Sequence, residues 1–269
     1  MGMLYNRLLI ILNEESSDST YYHIALLMLQ HCEELNDMSI QELADLCSVS
    51  KSTISKFIRF IGYEDLADFK YASIFQENKY HYNTNYVNDV MKYIEQNSMD
   101  SFILTLHQDI SASYMNLDWS RVNQLAADLA DYQNVAAFGL LFSETAALDL
   151  QAKLAYNKKF IVTNQNDLKQ ERYILNAKED TLIIIFTDSG MYLDRYDQIG
   201  DFANKHVFDH TKAKIVAITS NPALKEDPRI AYCICYQKSR SLCTHRIVYG
   251  VLTDIIAYQY RTYVKNRQT

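Results

Sequence analysis

Two short amphipathic segments separated by a tight break constrain the fold of this chain more than any other feature. In residues 39–62, SIQELADLCSVSKSTISKFIRFIG, apolar residues recur at positions 40, 43, 44 and 47 and again at 54, 57, 58 and 61. That spacing places each set on one face of a helix. Ser39 and Ser50 are suitable N-caps, and Glu42 completes a capping box with Ser39. The sequence therefore predicts two helices joined by a short turn, the second ending at Gly62.

The outer face of the second predicted helix carries cations and hydroxyls, with no acid between Lys51 and Ile61. Lys and Arg neutralise DNA phosphates, and Ser and Thr can bond phosphates or base edges. A tight helix pair whose second member is exposed and basic is typical of a helix-turn-helix. The pattern alone fits a helical hairpin with a solvated basic face equally well. The candidate DNA-binding residues are Lys51, Ser52, Thr53, Ser55, Lys56 and Arg59.

The segment from Met38 to Lys70 resembles the N-terminal domain of the RpiR family of bacterial transcription regulators. The family pattern is a helix, a turn, a basic helix and a further short helix ending in Phe-Lys. The resemblance covers about residues 1–77 and implies that this part binds DNA. The matching residues are Val49, Ser50, Thr53, Arg59, Gly62, Tyr63, Phe69 and Lys70.

The charge of the chain indicates that DNA binding depends on a local patch and on more than one copy. The net charge is −7, and residues 39–75 hold four bases against five acids. A uniformly acidic surface would repel nucleic acid, and one weak patch binds poorly at physiological salt. A dimer that presents two patches would roughly double the electrostatic attraction. We therefore expect a homodimer or a higher homo-oligomer bound to double-stranded DNA.

The sequence divides into three parts. Residues 1–77 are predicted to form the helix-turn-helix domain, and residues 78–117 a helical connector with a break near Asn97 and Ser98. Residues 118–269 change to alternating strands and helices, which predicts a three-layer α/β sandwich around a five-stranded parallel sheet. The predicted strands are NVAAF at 134–138, KFIVT at 159–163, TLIIIFT at 181–187, KIVAIT at 214–219 and IAYCICY at 230–236.

Two loops of this second half, at 139–143 and 187–192, follow predicted strands and are rich in Gly, Ser and Thr. Ligands of parallel sheets lie beyond the carboxyl ends of the strands, and backbone N–H groups there can hold a phosphate. Ordinary β–α turns would show the same composition. The half resembles an SIS (sugar isomerase) domain, which implies sugar-phosphate binding by these loops. The candidate ligand-binding residues are Gly139, Ser143, Thr187, Ser189, Gly190 and Tyr192.

The loops depart from the SIS pattern in ways that predict a weakened or altered site. Leu141 replaces a glycine that would let the backbone approach a phosphate, and Tyr192 replaces a threonine, so that its ring is expected to fill the space of a ligand oxygen. Asp188 and Glu144 add negative charge beside the supposed anion site. We expect the site to accept an uncharged or amino sugar derivative in place of a simple sugar phosphate, or to bind nothing.

Other sites fit the sequence less well. The set Cys233, Cys235, Cys243 and His245 has zinc-ligand types, but two of these cysteines share one face of an apolar strand, which favours buried thiols; we expect no metal and no cofactor. The odd number of cysteines, five, fits a reducing cytoplasm. No apolar run approaches the roughly 18 residues of a membrane span.

These observations predict a cytoplasmic transcription regulator that is not an enzyme and that senses a carbohydrate derivative through its SIS-like domain. Two alternatives remain open. The first is an SIS-type sugar-phosphate isomerase, for which Glu144 and His245 are nominal bases, although both are more simply interpreted as solvated or helix-capping. The second is a regulator whose SIS-like domain serves only as a dimerisation scaffold.

Overall fold

The computed structural model describes residues 3–74, 86–193, 207–238 and 245–268. The chain folds into two compact units, Met1–Tyr86 and Val87–Thr269. The predicted boundary between residues 77 and 78 lies outside the described residues. Within the described ranges, no helix combines the length and the apolar character needed to cross a membrane.

The first unit is entirely helical in its described part. Its apolar helix faces meet in one core that includes Leu8, Ile24, Leu43, Phe57 and Phe69, all without exposed surface. The predicted helix-turn-helix is the third and fourth helix of this unit. The helices are α1 (Met3–Glu14), α2 (Thr20–Gln30), α3 (Ile40–Leu46), α4 (Lys51–Phe60) and α5 (Leu66–Ile74).

Local hydrogen bonds fix where α3 and α4 begin. The predicted capping box is confirmed: the Glu42 N–H donates to Ser39 Oγ at 3.2 Å, and the Ser39 N–H donates to Glu42 Oε2 at 2.6 Å. Ser50 Oγ accepts from the Thr53 N–H at 3.1 Å at the start of α4. These bonds satisfy amides that a helix start leaves without partners inside the helix.

Two left-handed residues end α3 and α4. Ser48 has φ 53° and Gly62 has φ 89°. In the turn between the helices the Val49 N–H donates to the Ala44 carbonyl at 2.9 Å, and after α4 the Tyr63 N–H donates to the Ile58 carbonyl at 3.1 Å. Both bonds follow the Schellman pattern, in which a left-handed residue reverses the chain.

The second unit is a parallel sheet with helices on both faces. Its strands β1 (Asn134–Gly139), β2 (Thr181–Phe186), β3 (Lys214–Thr219) and β4 (Tyr232–Cys235) lie side by side in chain order, and each pairing is parallel. The helices are α6 (Tyr86–Gln96), α7 (Met99–Met115), α8 (Trp119–Asp131), α9 (Glu144–Tyr156), α10 (Asp167–Asn176), α11 (Val207–His210) and α12 (His245–Gln268).

Strand β2 is the centre of this unit because both of its faces are buried. Leu182 and Ile184 pack into the core formed with α8, α9 and α12, whereas Ile183 and Ile185 pack into the core on the other face, beside α10 and α11. This arrangement confirms the predicted three-layer α/β sandwich. A continuous apolar run is expected of a parallel strand covered by helices on both sides.

The prediction of a fifth strand at 159–163 is wrong for the residues that the structure describes, which contain four strands. Only Val162 pairs with β1: its N–H donates to the Val135 carbonyl, and its carbonyl accepts from the Ala137 N–H, both at 2.9 Å. Phe160 is 77% exposed and Val162 44% exposed. At this sheet edge β-branched side chains find few neighbours to pack against, and such packing is what β-propensity mainly reflects.

The predicted break in the connector is confirmed, because α6 ends at Gln96 and α7 begins at Met99. Helix α7 buries its polar side: Thr105, Asp109 and Ser113 are each less than 10% exposed. Its apolar side chains Ile103 and Leu104 are instead 46% and 58% exposed. In the isolated chain, α7 therefore presents apolar surface to the outside.

Candidate DNA-binding surface and ligand site

The outer face of α4 carries the predicted cationic residues in the open. Lys51, Ser52, Lys56 and Arg59 are exposed, whereas Thr53 and Ser55 are half-buried. The Thr53 hydroxyl is hydrogen-bonded to Ser50 Oγ at 2.9 Å. The inner face of the same helix is fully packed through Ile54, Phe57 and Ile58. Four of the six predicted residues are thus free of the core and able to meet a DNA backbone.

The acids near α4 hold helix starts in place. Glu42 accepts from the Ser39 N–H, and that bond keeps the pKa of the Glu42 carboxyl below its usual value. Asp65 Oδ1 accepts from the N–H groups of Ala67 and Asp68 at the start of α5. Asp68 Oδ2 accepts from the Glu64 N–H at 3.1 Å. None of these acids belongs to α4, so its outer face remains locally basic.

A buried arginine of α1, which the sequence pattern did not indicate, holds the end of α4. Arg7 is 9% exposed, and its Nη1 donates to the carbonyl oxygens of Ile61 at 3.0 Å and Gly62 at 3.2 Å. Its guanidinium also lies 4.7 Å from the ring centroid of Tyr63. Because the carboxyl end of a helix carries partial negative charge and unpaired carbonyls, a cation there stabilises it. Arg7 therefore fixes the end of the candidate recognition helix.

The first predicted ligand loop is tightly built around Gly139. A Cβ at this position would lie 2.6 Å from the Ser143 carbonyl carbon and oxygen, which only glycine avoids. Ser143, the N-cap of α9, is 8% exposed and is hydrogen-bonded to the Tyr249 phenol. The side chain of Leu141 lies outside what the structure describes. Gly139 and Ser143 both stand at the carboxyl end of β1, as predicted.

The second predicted loop uses its own backbone amides. Thr187 Oγ1 accepts from the N–H groups of Gly190 at 3.2 Å and Tyr192 at 3.3 Å, and Ser189 Oγ accepts from Met191 at 3.4 Å. Gly190 has φ +97°, which favours glycine. A phosphate in this loop would have to displace these internal bonds. The loop is therefore a poorer anion cradle than its composition indicates.

Tyr192, expected to occupy the space of a ligand oxygen, has its ring inside the protein. It is 2% exposed, packs in the core beside Phe208, and donates from its phenol to Gln170 Oε1 at 2.6 Å. Gln170 Nε2 in turn donates to the Gly139 carbonyl at 2.9 Å. Tyr192 thus supports the first loop from beneath through Gln170, which the sequence pattern did not single out.

The charge of Asp188, expected to oppose an anion, is compensated by its neighbours. Its carboxylate pairs with the Lys238 ammonium and accepts from the Tyr236 phenol at 2.5 Å and the Ser220 hydroxyl at 2.8 Å. Burial, together with the Tyr249 phenol and this carboxylate, raises the pKa of Tyr236 well above its ordinary value, so it remains a donor. The interpretation of Asp188 as a bare opposing charge is therefore corrected.

Glu144, interpreted from the sequence as solvated or helix-capping, is buried. It opens α9 directly after Ser143 and is 8% exposed. Burial raises the pKa of its carboxyl to about 7, and a hydrogen bond from Gln165 opposes that rise. Burial of this side chain depends on long-range packing, so its position after a helix cap gave no signal of it.

The described residues contain no group of three or more His, Cys, Asp or Glu side chains placed to hold a metal ion. Cys233 and Cys235 are free thiols on β4. Their mutual hydrogen bond, more than burial, raises the pKa of Cys233, and the same bond lowers that of Cys235 to about 7. Cys243 and the side chain of His245 lie outside the described residues.

Comparisons with known proteins agree with this geometry. Residues 10–76 match the helix-turn-helix domain of the rpiR family. An uncharacterized HTH-type transcriptional regulator of Providencia stuartii is 25% identical over 195 residues, covering 71% of this chain and 67% of that protein.

Among solved structures, the NanR protein of Vibrio vulnificus, complexed with ManNAc-6P, aligns with a TM-score of 0.51. The alignment covers 98% of this chain and 94% of that chain at 13% sequence identity. At this identity, the likeness shows a shared fold.

Proposed function

We infer that this chain, whose residues 10–76 form a helix-turn-helix domain of the rpiR family, is a DNA-binding transcription regulator. The observation that carries this function is the exposed cationic face of α4 on an otherwise acidic molecule. Lys51, Lys56 and Arg59 are exposed together on that face, while the nearby acids hold other helix starts. Such a face gains free energy against phosphates by releasing counterions.

The second unit is proposed as the sensor of a carbohydrate derivative. Gly139, Ser143, Ser189 and Gly190 lie in loops at the carboxyl edge of the parallel sheet, where ligands of this architecture bind. The Vibrio vulnificus NanR protein, which shares the fold, is complexed with ManNAc-6P, so sugar phosphates are the first ligands to try. The internally bonded second loop argues for modest phosphate affinity.

We further propose that the regulator acts as a homodimer, with 1–77, 78–117 and 118–269 as its DNA-binding, connecting and sensing parts. The exposed apolar side of α7, including Ile103 and Leu104, is surface that a second copy would cover. A ligand that binds one arrangement of the dimer better than another would change operator affinity. Because its partner is DNA, we place the protein in the cytoplasm.

One experiment tests the function as a whole. DNA fragments selected by the purified protein are sequenced, with and without ManNAc-6P and other sugar phosphates. We expect enrichment of a sequence with two related half-sites, and a change in its retention when the effector is added. Absence of any enriched sequence contradicts the regulator. Enrichment that no sugar changes supports the alternative in which the second unit is only a dimerisation scaffold.

One observation favours an isomerase as a second candidate: the pKa of Glu144, raised to about 7, suits a general base near neutral pH. We propose that the chain is not an enzyme, because an isomerase leaves the basic α4 face without a role. Incubation of the protein with aldose and ketose phosphates tests this directly. Interconversion that is lost in Glu144→Gln would overturn the assignment.

A further inference from the structure

The carboxyl group of Glu144 is buried without a full set of hydrogen-bond partners. The residue is 8% exposed, and Oε2 is buried with no hydrogen-bond partner among the described residues. Its one side-chain partner at this site is Gln165. Buried polar atoms are nearly always hydrogen-bonded, so an unbonded carboxylate oxygen needs an explanation.

The neighbouring Asp188 shows how this protein treats a carboxylate that it pairs internally. Asp188 has an ammonium partner in Lys238 and two hydroxyl donors. Glu144 has none of these, and no nearby charge contributes to the shift of its pKa, which burial dominates. Burying a carboxylate without a counter-charge is strongly unfavourable. Glu144 therefore lacks a cationic partner that Asp188 possesses.

A second unbonded atom belongs to a segment that contacts Glu144. Thr163 Oγ1 is buried and has no hydrogen-bond partner in the described part of the chain. Thr163 stands two residues before Gln165, the residue that contacts the Glu144 carboxyl. Both atoms belong to segments that follow β1 or its bridge partner Val162, at the ligand edge of the sheet. Together they offer a carboxylate and a hydroxyl to one bound molecule.

We propose that Glu144 is the binding residue for the ammonium group of an amino sugar effector, with Thr163 Oγ1 bonding an adjacent ligand hydroxyl. This inference rests on the proposed sensing function and specifies its ligand class. An ammonium supplies both the missing hydrogen bonds and the missing positive charge, and a charge-assisted bond of this kind is stronger than a neutral one. A ligand hydroxyl supplies only the hydrogen bond, and a phosphate placed against Glu144 would be repelled.

Titration calorimetry on the full chain tests the proposal with three probes that differ in one substituent. Glucosamine 6-phosphate carries an amine, N-acetylglucosamine 6-phosphate a neutral amide, and glucose 6-phosphate a hydroxyl. We expect the amine probe to bind at least about tenfold more tightly than the other two. In Glu144→Gln, which keeps the size of the side chain, this preference falls to less than about threefold.

A matched variant and a second readout separate the possible failures. Glu179→Gln removes one exposed carboxylate just before β2, at the opposite end of the strands, and should leave all three affinities unchanged. An amine preference that is absent in the wild type, or that survives in Glu144→Gln, overturns the proposal, as does binding of none of the probes. Gel retardation of the same samples tests the regulator itself, since Glu144→Gln should retain its DNA complex.

Discussion

The Arg7 guanidinium donates a hydrogen bond from Nη1 to the Ile61 carbonyl oxygen at 3.0 Å, joining residues 54 positions apart. The bond links α1 to the end of the candidate recognition helix. Replacing Arg7 by Met removes the donor and leaves buried carbonyls without it. Hydrogen bonds to charged groups contribute about 1.5–3 kcal/mol each, so we expect Arg7→Met to lower the free energy of unfolding by about 2 kcal/mol.

Urea denaturation measures the effect of Arg7→Met, with Arg172→Met as its control. Arg172 is exposed on α10, and its replacement should change the free energy of unfolding by less than about 0.5 kcal/mol. Equal effects of the two substitutions would show that Arg7 does not hold the helix end.

Ser48 offers a stabilising change at the turn between α3 and α4. Its φ of 53° lies in the left-handed region, which disfavours a residue with a Cβ by about 1–2 kcal/mol relative to glycine. Glycine also loses more freedom on folding, so we expect Ser48→Gly to raise the free energy of unfolding by roughly 0.5–1 kcal/mol. Thermal unfolding should show a higher melting temperature, whereas Ser48→Ala should leave it nearly unchanged. A lower melting temperature for the glycine variant contradicts this account of the turn.

The buried Glu144 carboxyl makes stability depend on pH with a definite sign. Its pKa rises from 4.5 to about 7 on folding, so the folded state favours the protonated form. The free energy of unfolding should therefore fall as the pH rises from about 4.5 to about 7, by about 2–3 kcal/mol in total, and this contribution should be constant above that range.

Denaturation of wild type and Glu144→Gln at pH 4.5 and pH 8 isolates this contribution. The variant should gain about 2–3 kcal/mol over the wild type between the two values. Glu179→Gln, at an exposed position, should run parallel to the wild type. A wild type and Glu144→Gln that also run parallel would place the carboxyl in water.

The apolar side of α7 predicts the response of the assembly to charge. Ile103→Asp with Leu104→Asp places two carboxylates where the proposed second copy packs, and both positions are exposed in the single chain. We expect sedimentation to report the monomer mass with an unchanged circular dichroism spectrum. His107→Asp with Gln108→Asp, at polar positions of the same helix, should remain dimeric. An intact dimer in the first variant rules out α7 as the interface.

The features that the sequence predicted correctly depend on neighbours in the chain. The Ser39–Glu42 capping box spans four residues, and the burial of both faces of β2 follows from its composition. The bonds that the sequence did not indicate join distant segments: Arg7 to Ile61, and Asp188 to Lys238. No local period encodes such pairs.

Errors arose where tertiary position overrides a local pattern. The run KFIVT has strand-like composition, yet its place at the sheet edge leaves Phe160 exposed and only Val162 paired. Glu144 follows a helix cap, where acids are usually solvated, but packing around α9 buries it. The two candidate loops lie at the strand ends, as the sequence predicted, whereas their internal hydrogen bonds follow from the folded geometry alone.

The central claim is that the exposed cations of α4 neutralise DNA phosphates, and the salt dependence of binding measures this most directly. The slope of log K against log salt concentration should shrink by about 1.8 per DNA-binding domain in Lys56→Ala with Arg59→Ala, since each phosphate contact contributes about 0.9. Lys178→Ala with Lys212→Ala, at positions of the second unit, should keep the wild-type slope. An unchanged slope on loss of Lys56 and Arg59, or a loss matched by the control pair, would contradict the account.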